Sequence, residues 1–368
     1  PALWLVRRRL RRGARSLAAL GLFGIFALGA CSSGSTSAPD DGGTAMELGG
    51  AGGGVDYAPY FYTWGFGSPS YAFKSLAEMK QKSGLSAATL AFVLGNSAGS
   101  PACSVTTDGT TNVIETLMKD DIAAFRAAGG RLKVSFGGAN GLNLDDDRAC
   151  PSAMALFTAL DGFVARTGLT DLDFDAEQPG VLTAAVNQKR AQALKLLQDK
   201  RPEVRVSLTL PSLPRDKNGT PGGLTMLGLE AVRAMAQAGV RLTHVNLMTM
   251  DFGPYYSTGR TLSELAISAL TDAQAQLKPV FGDKSDAALW ALLGATPMIG
   301  QNDVSSESFS LQDASALAAF AQQQRLGRLS FWAAQRDQPC PMGSTDLALC
   351  SRVNTAPFEF HRVFAQVP

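Results

Sequence analysis

Between Gly168 and Glu177 the chain reads Gly-Leu-Thr-Asp-Leu-Asp-Phe-Asp-Ala-Glu, with an acid at every second position: Asp171, Asp173, Asp175 and Glu177. A period of two is strand geometry, so the four carboxyl groups share one face while Leu172, Phe174 and Ala176 share the other. On an exposed edge such a face is simply solvated. The flanking chain, however, alternates strand-like and helix-like patterns, which puts this strand in a sheet covered by helices. A row of like charges inside that sheet opposes its own burial through repulsion and desolvation. Tolerating that cost points to chemistry, and Glu177, at the C-terminal end of the strand, is best placed to perform it.

The alternation itself sets the fold class. Strands are expected at Tyr57–Trp64, Ala87–Leu94, Leu132–Gly137, Leu169–Glu177, Val204–Leu210, His244–Met250, Trp290–Met298 and Leu326–Trp332. Helical patterns lie between them at Ser75–Lys82, Asn112–Ala128, Pro151–Thr167, Leu182–Lys200, Leu224–Ala238, Leu262–Gln276 and Leu311–Gln324, with a final helix from Pro357 to Phe364. Pro202, Gly239 and Gly327 stand just before strands, where helix-stopping residues belong. Eight such repeats imply an α/β fold of the (β/α)8 TIM-barrel type in one domain, residues 55–368. An open doubly wound sheet is the rival, but no Gly-rich dinucleotide fingerprint follows the first strand.

In a barrel, function gathers at the C-terminal ends of the strands. Those ends supply Trp64, Asn96, Gly137 to Asn140, Glu177, Met250, Asp251, Gln301 to Asp303 and Trp332. Aromatic faces stack on the apolar face of a sugar ring while amides and acids bond its hydroxyls, so this set suits a carbohydrate. Only two histidines occur, His244 and His361, far apart in sequence. A histidine-rich metal site or a Ser-His-Asp hydrolase is therefore poorly supported, and His244 opens its strand at the opposite, stability-determining end.

The N-terminal region carries its own signals. Arg7, Arg8, Arg9, Arg11, Arg12 and Arg15 precede an apolar run from about Leu17 to Ala30, too short for a comfortable membrane span. Residues 1–30 are thus expected to be an export signal. The run ends Leu28-Gly29-Ala30-Cys31, which resembles the lipobox of bacterial lipoproteins and implies a lipid anchor on Cys31 that would attach the protein to a membrane. An ordinary secretory signal with an incidental cysteine is the alternative. Residues 31–54, rich in Gly, Ser and Thr, read as a flexible tether. The destination is accordingly the periplasm or cell surface as a lipoprotein, or otherwise the medium. Without the six leader arginines the charge balance is about −5, and no basic stripe remains for nucleic acid.

Export also bears on the other four cysteines, because disulfides persist in oxidising compartments. Cys340 and Cys350 are close in sequence and flank a turn-like segment, so they are expected to pair; Cys103 and Cys150 then pair by elimination. Four free thiols are the alternative, and no CxxC spacing argues for a metal.

The residues resemble glycoside hydrolase family 18, the chitinases and endo-β-N-acetylglucosaminidases. The family's DGxDxDxE signature aligns with Thr170 to Glu177, its SxGG motif with Ser135-Phe136-Gly137-Gly138, and its QxMxYD element with Asn246 to Asp251. The tryptophan ending the eighth strand corresponds to Trp332. Thr170 and Asp171 replace the signature's first Asp and Gly, Asn246 replaces the glutamine, and Met250 stands where many members have a tyrosine. Tyr255 or Tyr256 is a candidate to substitute for it.

The resemblance implies an enzyme cleaving β-1,4 links between N-acetylglucosamine units in chitin or its oligosaccharides, as a monomer, with no cofactor and no metal. It further implies substrate assistance: Glu177 as general acid, the substrate's N-acetyl oxygen as nucleophile, Asp175 orienting the acetamido N–H, and Asp173 sharing a proton with Asp175. Asp173 is equally readable as a buried structural acid bonded to Ser135. Trp64, Ser135, Gly137, Gly138, Met248, Asp251, Gln301 and Trp332 are the expected substrate-binding positions. Arg336 and Asp337 read as a local ion pair. A non-hydrolytic chitin-binding barrel, or an endoglycosidase acting on N-glycans, is the alternative function.

Overall fold

The computed structural model describes residues 54–97 and 101–367. Residues 1–53, which hold the expected signal sequence, Cys31 and nearly all of the tether, lie outside the described residues. Parallel pairing runs without a break from the second strand, Ala87–Gly95, through Arg131–Gly137, Asp171–Asp175, Arg205–Leu213, Leu242–Met248 and Leu293–Thr296 to the eighth, Arg328–Leu329. The first strand is interrupted. Its Asp56–Tyr57 segment pairs with the eighth strand and its Tyr60–Tyr62 segment with the second. Pro59 sits at the interruption, where it has no N–H to donate and its carbonyl accepts from Thr89 N at 2.8 Å. One strand bonded on both sides closes the curled sheet into the expected barrel.

The helices that cover it begin where the sequence supplies a cap. Ser75, Ser152, Thr183, Thr225, Thr261, Ser285 and Ser310 each accept a backbone N–H three residues on. Gly84 and Gly168 end two of these helices in the left-handed conformation. Local chemistry also explains where the expected boundaries moved. Trp290 was expected to open the seventh strand, but Ser285 caps a short helix, Asp286–Leu292, and the strand starts at Leu293. Trp290 instead packs edge-on against Phe320 of the next helix, 5.6 Å between centroids. The second helix starts at Lys119, not Asn112, because Asp108 and Asn112 bond their own loop in competition with helix.

The period of two in the fourth strand sorts its side chains between two environments. Leu172 and Phe174 face the helices, where Phe136 stacks on Phe174 at 5.1 Å and meets Phe163 edge-on at 5.6 Å. Burying an aromatic of this kind makes truncation to alanine cost about 3–5 kcal/mol. The acids face the barrel interior. At the barrel's N-terminal end Asp171 is 2.5 Å from Lys133 Nζ and 3.6 Å from Arg205 Nε, and Lys133 also approaches Asp56 at 3.5 Å. His244 joins this cluster, 3.7 Å from Asp56, and burial pushes its pKa down to about 3. The first acid of the row is therefore neutralised by structural cations, remote from the barrel mouth. Both expected disulfides are present, Cys103–Cys150 joining the loops after the second and third strands and Cys340–Cys350 near the C-terminus. No helix among the described residues is long and apolar enough to cross a membrane.

Candidate active site

From Asp171 upward the row climbs toward a cleft of about 530 Å³ at the C-terminal end of the barrel. Asp173 is fully buried below the floor. Its Oδ1 accepts from Ser207 Oγ at 2.6 Å and Thr209 Oγ1 at 3.0 Å, and its Oδ2 from Ser135 Oγ at 2.9 Å and Tyr60 OH at 3.1 Å. The buried Arg328 guanidinium lies 4.0 Å away. Such a donor set suits a carboxylate that acts only as an acceptor. Asp173 does not line the cleft, so it touches substrate only through the groups it holds. The structural reading of Asp173, with Ser135 as a partner, describes its surroundings.

Asp175 and Glu177 do line the cleft. Asp175 is buried; its Oδ2 lies 3.5 Å from Tyr60 OH, and its carboxyl is within hydrogen-bonding reach of the Glu177 carboxyl. Two carboxyl groups can face one another favourably only when at least one holds a proton. Desolvation, followed by the charges of Glu177 and Asp173, holds the Asp175 pKa well above the usual carboxylate range. Desolvation also raises Glu177, to about 7; a hydrogen bond from Asp175 works against that rise, and the charges of Asp251 and Asp303 add to it. At neutral pH the pair thus holds a transferable proton. Asp173, whose oxygens accept from four other side chains, neighbours Asp175, which in turn contacts Glu177.

The glycines after the third strand fit backbone, not sugar. Gly137 has φ +115°, and a Cβ there would fall 2.1 Å from the Asp175 carbonyl oxygen. Gly138 N donates to that same oxygen at 2.9 Å. The pair permits the third strand to approach the point where the fourth leaves the sheet, and it aims Asp175.

Aromatic residues form the cleft wall. Trp332 stacks on Phe92 with centroids 5.4 Å apart and meets Tyr60 edge-on at 5.6 Å; Trp64 stacks on Tyr62 at 4.3 Å and is 47% exposed. Met248, Met250 and Met298 add apolar lining. Opposite, Asp251 reaches the cleft while its Oδ1 accepts from Val304 N at 2.8 Å, and desolvation raises its pKa to about 6.

Of the expected substrate-binding positions, Trp64, Met248, Asp251 and Trp332 line the cleft and the others do not. Ser135 lies beneath it on Asp173, and Gly137 and Gly138 support it from behind. Gln301 turns away: its Nε2 donates to the carbonyls of Asn302, Ser305 and Glu307, since a loop this tight satisfies its carbonyls with the nearest amide. Its neighbour Asp303 faces the cleft instead. Tyr255 does not replace the tyrosine missing at Met250, because its ring is 54% exposed outside the cleft with its hydroxyl on Asp216. Nor do Arg336 and Asp337 pair: Arg336 Nη2 donates to the Gln301 carbonyl, whereas Asp337 accepts from Phe360 N and His361 N.

Tyr60, Phe92, Asp108 and Thr209 are among the cleft residues that sequence reasoning passed over. Their signal was available in part, since Tyr60 alternates with Phe61 and Tyr62 and so faces the interior if Phe61 faces the helices. Among the described residues no cluster of His, Cys, Asp and Glu is arranged to hold a metal ion.

No protein-family model matches the chain. It is 34% identical over 279 residues to Endochitinase 11 of Metarhizium anisopliae, covering 73% of this chain and 49% of that protein. It is 33% identical over 283 residues to a probable bifunctional chitinase/lysozyme of Escherichia coli K12, covering 74% of this chain and 30% of that one. The chain thus spans half or less of the length of these relatives. The catalytic domain of a hyperthermophilic chitinase from Pyrococcus furiosus matches with a TM-score of 0.72 and 32% identity, over 85% of this chain and 94% of that one. Catalytic-site mutants of active domain 2 of that species' chitinase, solved with chito-oligosaccharides, match equally well. With the barrel, the DxDxE row and this likeness across almost the whole of a chitinase catalytic domain, the chain belongs to glycoside hydrolase family 18, the chitinases.

Proposed function

We propose that the domain hydrolyses β-1,4 links in chitin or its oligosaccharides by a substrate-assisted, retaining route. The observation that carries this reading is the proton-holding Asp175–Glu177 pair on the floor of an aromatic-walled cleft. Glu177, raised to about 7, gives its proton to the glycosidic oxygen as that bond breaks. The N-acetyl oxygen of the same sugar attacks the anomeric carbon, forming an oxazolinium ion. The pair shares one proton, the one Glu177 delivers, so Asp175 is a carboxylate when it receives the acetamido N–H and offsets its growing positive charge. Tyr60, buried and hydrogen-bonded to Asp173, holds Asp175 from below. Glu177, now a carboxylate, takes a proton from the incoming water, and the ring reopens with retained configuration. The reading is tested by reporter release from a chitobiose conjugate with wild type and Glu177→Gln; equal turnover by the two rules it out. The retained Glu177 speaks against a purely chitin-binding role.

We further propose that the protein is exported and anchored through Cys31. The Arg-rich leader and the Ala30-Cys31 junction support this, as does the presence of two disulfides. Fatty-acid labelling of the intact chain and of Cys31→Ala tests it; equal labelling of both, or of neither, removes the anchor.

A further inference from the structure

The cleft is acidic across its whole width, and its described lining carries no cationic side chain. Five carboxyl groups line it, Asp108, Asp175, Glu177, Asp251 and Asp303, and among the described lining residues there is no lysine, arginine or histidine. The proposed chemistry employs Asp175 and Glu177, and Asp251 is partly engaged by Val304. Asp108 and Asp303 have no part in that chemistry. They stand on loops after the second and seventh strands, which two strands separate on one side of the barrel and four on the other. Both are exposed to solvent within the cleft.

Their placement is not casual. Asp108 accepts hydrogen bonds from the backbone and hydroxyl groups of both Thr110 and Thr111, at 2.6 to 2.8 Å. Desolvation works against its ionisation, but these bonds outweigh it and hold the carboxyl well below the usual range. Asp303 lies close enough to Glu177 and Asp251 for its charge to raise both. Arg336, on which the charges of Asp303 and Asp251 act, is buried outside the lining and donates to the Gln301 carbonyl. The cleft presents an excess of acceptors and negative charge to whatever enters.

Fully N-acetylated sugar is neutral and meets the rim acids only as acceptors for its hydroxyls, whereas an ammonium group also gains from their charge. In the proposed chemistry the acetamido group acts only at the unit whose bond is cleaved. We propose that the cleft selects partly deacetylated chitin, with an N-acetylglucosamine at the cleaved bond and glucosamine ammonium groups against Asp303 and Asp108. Asp303 and Asp108 are then specificity-determining residues. This proposal rests on the hydrolase reading given above.

The test compares kcat/KM for a fully acetylated tetramer and for partly deacetylated tetramers, at about pH 5.5 and at low and high salt. The wild type is expected to favour the cationic oligomers by roughly two- to five-fold for each acid engaged. That ratio should fall in Asp303→Asn and Asp108→Asn and shrink at high salt. Equal or better turnover of the acetylated tetramer at low salt overturns the proposal, as does a preference kept intact by the double variant. If neither oligomer is cleaved, the hydrolase reading fails. The affinities of Glu177→Gln for the two oligomers then decide the selectivity separately, with tighter binding of the cationic one supporting it and equal binding ending it.

Discussion

The Tyr60 hydroxyl lies 3.1 Å from Oδ2 of Asp173, inside the barrel and beneath the cleft. It is also 3.1 Å from Thr209 Oγ1 and 3.5 Å from Asp175, so one phenol links the structural acid to the reactive one. Burial, then the charges of Asp173 and Asp175, holds its pKa well above the usual range, which keeps it a donor. Tyr60→Phe leaves the ring packing against Trp332 and removes only this donor. A hydrogen bond to a charged group contributes about 1.5–3 kcal/mol, so kcat should fall roughly 10- to 100-fold. Steady-state kinetics on a chitobiose reporter check this, with KM moving less than kcat.

The pH profile follows from Glu177. It must be protonated to act as acid, and its pKa lies at about 7, so kcat/KM should decline as pH rises through about 7. The charge of Asp251 helps to hold that value up. Asp251→Asn should therefore move the alkaline limb to lower pH, which a kcat/KM titration reads directly. Glu177→Gln removes the acid itself, and a loss of roughly 100- to 10,000-fold is expected at every pH.

The same residue makes stability depend on pH. Glu177 has a higher pKa in the folded chain, about 7, than its ordinary 4.5, so the native state binds more protons between those values. Stability then falls as pH rises from about 4.5 to about 7 and levels off above it. Asp175, also raised, acts in the same direction. Glu177→Gln should flatten this slope and raise Tm at about pH 8 by about 2–4 °C, with little change near pH 4. Thermal melts of both proteins across that range test the sign.

Gly137 is predicted to be intolerant of any side chain. Its φ is +115°, and an added Cβ would sit 2.1 Å from the Asp175 carbonyl oxygen. Gly137→Ala should cost about 2–4 kcal/mol by straining the backbone and displacing the fourth strand. Gly84→Ala, with nothing within 4 Å of its Cβ, is the control; it carries only the left-handed backbone penalty at φ +82°. Urea denaturation of the two variants should separate them clearly.

The sequence by itself determined the barrel and the direction of its acidic row. Strand and helix patterns differ in period, and caps such as Ser152 and Thr183 act within four residues, so both are legible without knowing what packs where. The specific DxDxE spacing likewise put Asp175 and Glu177 on one face. Which acid meets which partner was decided only by tertiary structure. Asp171 and Asp173 look equivalent to Asp175 along the chain, yet Lys133 claims the first, and Ser135, Ser207, Thr209 and Tyr60 claim the second. Those donors come from the first, third and fifth strands, up to 113 residues away in the case of Tyr60. Gln301 turned into its own loop while Asp303 turned to the cleft for a related reason: a short loop orients its side chains by the carbonyls it must satisfy, and no local periodicity encodes that choice. Local pattern specifies what lies on a face; burial and distant donors specify which of those groups keeps a proton.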